Sequence, residues 1–247
     1  MSEFTVGTKD LRQALSSVLA HACHDPDLPD LTRVRLVVDP VNVTVTATDR
    51  YTAGLAIASV LEYDEATADT IDLLPDDVSK ILSIFKAGKE EGDEPEYTLR
   101  IEPSSNHVTV TDNSGLIDGR ALKLPRLADA DRFPSIPTLV ARAHRTDAVL
   151  LEGMVFTGAL LGRFTTAAKC YAQPLELESH AGFRGVLIRC GESFLGAIVP
   201  RTSTEDQVFQ RKEWATAWDT RLPEITEPKP DSVDPTAFTG GPEFSAP

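Results

Sequence analysis

Cysteine is scarce. Cys23, Cys170 and Cys190 are all that 247 residues contain, too few and too scattered for a disulfide framework, and no two stand at zinc-ligand spacing. Buried thiols in a reducing compartment are the expectation. No apolar run approaches the ~20 residues of a membrane span, and the opening MSEFTVGTKD lacks the apolar stretch of a secretory signal. The chain is therefore expected to be soluble and cytoplasmic, with no membrane partner. Catalytic motifs are missing too: there is no phosphate-cradling glycine loop, no G-x-S-x-G, no H-E-x-x-H and no paired-cysteine motif. His21 and His24 share a helix but have no cluster of further ligand residues to join them. Asp49 stands at a hairpin corner, where a carboxylate is a turn residue before it is an acid or a base. These absences point to a protein that is not an enzyme and needs neither metal nor cofactor. Positive charge is also short, with a net charge of −14, which excludes a surface that is basic all over. The acids crowd into connectors around 62–69 and 90–96, while the helices are neutral to basic.

What is present is a repeat, in a chain whose apolar fraction of 41% is enough for a real core. In VNVTVTATDRYTAGLAIA, residues 41–58, valine alternates with Asn and Thr until Asp49-Arg50 breaks the pattern, after which a second apolar run follows; this is a β-hairpin. Before it come a short strand at Phe4–Gly7, a helix over 9–24 with Thr8 as its cap and Leu11, Leu15, Val18 and Leu19 on one stripe, and a strand at Val34–Val38. The same order recurs. A strand at 70–74 leads to a helix opened by Pro75, with Val78, Ile81, Leu82 and Phe85 inward and Gly88 as its stop, then to strands at 97–102, 107–111 and 116–122. A third copy runs from strands at 138–143 and 148–151 through a helix over 154–171 to strands at 175–179, 186–189 and 194–199. Repetition of this kind points to an array of equivalent units.

Between the second and third copies lies KLPRLADADRFPSIP, whose prolines predict an extended linker. Beyond Pro200 the chain is acidic and rich in proline and is expected to be disordered. The exception is an amphipathic helix over 207–218 carrying Val208, Phe209, Trp214 and Trp218. The organisation is thus a complete two-module domain at 1–124, a linker and one-module domain at 125–201, and a tail at 202–247. The fold class is α+β.

Three words in this order resemble the bacterial sliding clamp, the β subunit of DNA polymerase III. The hairpin ATDRYTAGLA is similar to the family's ATDGHRLA, Arg132-Phe133-Pro134 matches its GRFP linker word, and Ala197 to Arg201 looks like its terminal VVMPMR. The resemblance implies the clamp fold, with modules forming outer antiparallel sheets and inner helices around duplex DNA. It covers about the first 200 residues. A family chain has six modules, whereas three are counted here, so the third domain lacks its first half. A ring of twelve modules would need four such chains, with a dimer or trimer also open. So shortened a clamp suits a virus with its own replication machinery, acting in the host cytoplasm. The implied function is a polymerase processivity factor that contacts DNA without sequence preference through Arg12, Lys80, Lys86, Arg163 and Lys169. Its other partners would be a DNA polymerase, further clamp-binding peptides and a clamp loader. The family's peptide cleft, carried over, falls on Thr48, Tyr51, Thr52, Ala53, Pro134, Leu139, Ala197, Val199 and Pro200. The alternative is a clamp-derived adaptor or decoy that binds replication proteins without encircling DNA.

Overall fold

In the computed structural model, β1 (Phe4–Gly7) runs straight into α1 (Thr8–Leu19), and β2 (Val34–Val38), β3 (Asn42–Thr48) and β4 (Thr52–Tyr63) complete the first module. The second module is β5 (Asp69–Leu73), α2 (Pro75–Ile84), β6 (Thr98–Pro103), β7 (His107–Asp112) and β8 (Ala121–Pro125). Then follow α3 (Ile136–His144), β9 (Ala148–Val149), α4 (Gly158–Gly162), α5 (Thr165–Tyr171), β10 (Leu175–His180), β11 (Val186–Cys190), β12 (Phe194–Ile198) and α6 (Glu205–Asp219). The structure describes residues 3–64, 69–90, 95–130, 132–150 and 153–222. It falls into two units, Met1–Pro200 and Arg201–Pro247, so the boundary expected at 124/125 lies inside the first.

The first two modules complete each other by exchanging their first strands. β1 pairs antiparallel with β6 of the second module, and β5 pairs antiparallel with β2 of the first. The long strand β4 joins the parts: its N-terminal half lies between β3 and β12, and its C-terminal end pairs with β1. The outcome is one sheet in the order β8-β7-β6-β1-β4-β12-β11-β10-β9, with β3, β2 and β5 branching from β4.

Alternation along these strands separates two cores. Ala56, Val186, Ile188 and Ile198 join the larger one, together with Leu11, Leu15 and Val18 of α1, Val78 and Ile81 of α2, and Phe164 and Ala167 beside or within α5. Their neighbours Leu55, Leu187 and Ala197 face the other way, under Phe133 and under Ile136, Val140 and Ala143 of α3. Helices α1, α2 and α5 therefore share one face of the wall, with α1 touching both others, while α3 lies on the opposite face.

Several local expectations need correction. Residues 138–143 are helical because Pro137 sits in the first turn of α3, where proline is tolerated, and because Ile136, Val140 and Ala143 recur at helical spacing. The helix expected over 154–171 is two short ones, broken at Arg163-Phe164 and closed by Ala172 at φ 51°. The last strand of the second module starts at Ala121, since Gly119 N–H donates to the Asp112 carbonyl (2.7 Å) and holds 113–120 as a loop with Leu116 and Ile117 in water. Gly7, not Thr8, caps α1, which stops at Leu19 as His21 N–H bonds back to Val18. α2 ends at Ile84 without using Gly88, which instead packs on Tyr97. In α6 the four large apolar residues point around the helix and all are exposed, so it has no single apolar face. The expected disorder beyond it falls outside the described residues.

Candidate functional site

The corner between β3 and β4 is built around Asp49. Its Oδ1 accepts the N–H groups of Tyr51 (3.0 Å) and Thr52 (2.8 Å) and the Thr52 hydroxyl (3.1 Å). Its Oδ2 accepts Arg163 Nη1 at 2.5 Å, and the same nitrogen donates to Thr52 Oγ1 at 2.8 Å. Burial pushes the Asp49 carboxyl up, but the Thr52 N–H and the Arg163 guanidinium outweigh it and hold the group below its ordinary value. The Thr48 hydroxyl donates to the Thr52 carbonyl at 2.7 Å. Arg50 occupies the left-handed region at φ 78°, a position where the family word carries glycine. The corner is rigid and turns Arg50 and Tyr51 outward, Tyr51 being 60% exposed.

Of the nine residues expected to receive a client, Tyr51, Pro134, Leu139 and Val199 are exposed and Pro200 is half-buried. Tyr51 and Val199 are adjacent, since Val199 N–H donates to the Tyr51 carbonyl at 2.9 Å. Thr48, Thr52, Ala53 and Ala197 are buried, the two alanines in the core beneath α3, so they support the rim from below. Pro134 lines a groove of about 590 Å³ with Leu28, Leu31, Arg50 and Arg132. Leu139 lines a different one, of about 560 Å³, with Thr138, Arg142 and Phe183. The structure therefore sets Pro134 and Leu139 in two grooves where a single cleft was expected. Arg50 and Arg132 stand within the hairpin and linker words themselves but were not singled out there as client contacts; Leu28 and Phe183 carry no local signal.

On the helical face, Lys80, Lys86 and Lys169 are exposed, with Lys80 Nζ 2.7 Å from Asp77 of its own helix. Arg12 and Arg163 are not free cations. Arg12 donates from α1 to the carbonyls of Leu82 (2.5 Å) and Phe85, satisfying the C-terminal end of α2, and Arg163 is held by Asp49. Among the described residues no group of three or more His, Cys, Asp or Glu could hold a metal, and no helix is long and apolar enough to cross a membrane.

Strand-helix-three-strand modules that exchange first strands, with helices on one face of a continuous antiparallel wall, define the sliding-clamp fold. The same architecture appears in solved structures of DNA polymerase III β subunits. The chain is similar to the β subunit from Thermotoga maritima (TM-score 0.62, 12% identity, 83% of this chain and 65% of that one). It is also similar to the sliding clamp from Bacillus subtilis (0.60, 14%, 82% and 64%) and to the Pseudomonas aeruginosa clamp solved with a ligand (0.56, 16%, 92% and 69%). The chain thus spans just under two thirds of the length of the first two. No protein-family model and no curated protein matches it.

Proposed function

We propose that the chain is a subunit of a sliding clamp that encloses duplex DNA and tethers replication proteins at its rim. The observation that carries this reading is the contiguous layer of α1, α2 and α5 on one face of the sheet wall, the face a clamp turns toward DNA. Contacts there run from Lys80, Lys86 and Lys169 to phosphate, which supplies affinity without reading bases. Arg12 and Arg163 serve the same face indirectly, by fixing the end of α2 and the break between α4 and α5. Lys80→Glu, Lys86→Glu and Lys169→Glu together are expected to abolish retention on circular DNA, to flatten the salt dependence of binding by about three counterions and to leave the oligomer mass unchanged. Retention equal to that of the unaltered chain would remove this face from the reading.

Client peptides are proposed to dock with an apolar side chain on the rim formed by Tyr51, Val199 and Pro200, flanked by the Pro134 and Leu139 grooves. Tyr51→Ala with Val199→Asp is expected to weaken a polymerase-derived peptide at least tenfold, about 1.4 kcal/mol, without altering folding, because both side chains are exposed. A titration showing undiminished affinity would refute the rim. The non-encircling adaptor keeps one observation in its favour: Arg12 and Arg163 are engaged internally and Lys80 is paired with Asp77, so three of the five basic residues nominated for DNA already have partners within the chain. Retention on nicked circles that is lost on linearisation separates the two readings.

A further inference from the structure

One imidazole ties together the two walls of the Leu139 groove. The first wall is α3 with Thr146 just beyond it, and the second is the turn at 181–183 that leaves β10, where Gly182 takes φ 75°. His180 precedes that turn with its side chain 6% exposed. Its Nδ1 lies 2.9 Å from the Thr146 carbonyl on the first wall, and its own carbonyl accepts the Phe183 N–H at 3.1 Å on the second. Across the ring, Nε2 lies 3.1 Å from Glu178 Oε2.

Both partners of the ring are acceptors. A carbonyl and a carboxylate each need a proton on the nitrogen that faces them, and only the imidazolium carries one on both. Glu178 is in its charged form, because the hydrogen bond from His180, and after it the one from Arg189, hold its carboxyl below its ordinary value against burial. A neutral ring has a single proton to place. A bond to a charged acceptor is roughly twice as strong as one between neutral groups, so the proton stays on Nε2 and a bare Nδ1 is left against the Thr146 carbonyl. Two lone pairs at that distance repel, and the Thr146 wall is released. No neighbouring group replaces the lost bond. Arg189 on β11 is engaged with Glu178 (3.4 Å), Glu176 (3.7 Å) and Nδ1 of His144 at the end of α3 (3.3 Å). The residues of β9 that pair with Ser179 and His180 are Val149 and Ala148, which carry no charge. The Asp147 carbonyl accepts the Ala181 N–H at 3.0 Å whatever the state of the ring, so the groove loosens without coming apart.

We propose that His180 is a positioning residue for the client groove. As the imidazolium it holds the Thr146 wall to the Phe183 turn, and on losing a proton it lets that wall go. Peptide capture therefore weakens as pH rises through the range in which histidine titrates, about 5 to 8. This deepens the client reading by giving the groove beside Leu139 a dependence on pH, and it rests on that reading for its effect on peptides, while the proton switch itself rests on the geometry of the ring.

Nitrogen resonances of the His180 ring in the full chain, read without any peptide, are expected to show both nitrogens protonated at pH 6 and Nε2 alone protonated at pH 8. Titration with a polymerase-derived peptide free of histidine is expected to show about fivefold weaker binding at pH 8, the loss of one hydrogen bond. His180→Gln can still donate an amide proton to the Thr146 carbonyl and has none to lose, so it is expected to bind at both pH values about as the unaltered chain does at pH 6. His144→Gln, on the neighbouring histidine, is expected to keep the fivefold difference. A ring that carries its single proton on Nδ1 at pH 6 overturns the proposal, and so does a pH dependence of binding that His180→Gln leaves unchanged. Either result leaves the client reading standing. A ring that switches as expected in a chain that binds the peptide at neither pH upholds the proton switch and sinks the client reading alone.

Discussion

Asp72→Ala is expected to destabilise the first unit by about 3 to 5 kcal/mol, the largest effect anticipated for any single substitution considered. The Asp72 side chain is 1% exposed and serves two cations. Its Oδ2 accepts Arg33 Nη1 at 2.7 Å and Arg35 Nη2 at 2.8 Å, and its Oδ1 accepts Arg35 Nε at 2.9 Å. Both guanidiniums continue into the linker: Arg33 donates to the Ala128 carbonyl at 2.9 Å, while Arg35 reaches Asp129 at 2.8 Å and stacks on the Phe133 ring. Removing the carboxylate leaves two largely buried positive charges without their shared counter-ion, and such a loss costs far more than an exposed pair contributes. The linker that seats α3 would loosen with it. Denaturant titration at neutral pH checks this, and a loss below about 1 kcal/mol would mean that both arginines regain water on mutation.

The second large effect is an acid sensitivity set by His21. The ring is fully buried, its centroid 4.6 Å from that of Phe164, and neither nitrogen has a hydrogen-bond partner. Burial first, and the charge of Arg163 second, lower its pKa from 6.5 to about 3. Between those values the unfolded chain takes up a proton that the folded chain refuses. Its contribution to stability is therefore complete above about pH 6.5 and falls by about 1.4 kcal/mol per unit below it, a loss of about 2 kcal/mol by pH 5. Asp49 has the opposite chemistry, but its contribution is lost only as pH falls below the ordinary carboxyl value of 3.8, outside the window from pH 5 to 6.5. His21→Leu, which also removes two unpaired nitrogens, should flatten the dependence in that window. Equal slopes for the two proteins in paired denaturation curves at pH 7 and pH 5 would show that the ring protonates in place.

His21 also explains a sequence feature that periodicity alone leaves open. A Cβ at Gly54 would lie 2.7 Å from its ring, and a Cβ at Gly196 would run into the buried Phe164 ring. These two glycines face each other across the β4 and β12 pairing. The junction between the first and third modules is therefore closed by rings packed on bare backbone.

The hairpin and the order of elements in the first two modules could be read along the chain alone. Val43 and Val45 are buried in alternation with Thr44, and Pro75 opens its helix, because two-residue periodicity, helical stripes and first-turn proline are local properties that a chain carries before it folds. The helix α3 was hidden because its proline reads as a breaker unless the turn it begins is known. Which rim residues are open depends on packing, since Ala53 and Ala197 are covered by that same helix. Packing likewise decides which cations are free: Arg163 meets Asp49 across 114 residues and Arg12 meets Leu82 across 70. Such pairings follow from the register in which distant strands meet and the face on which helices settle, and no spacing along the chain encodes either.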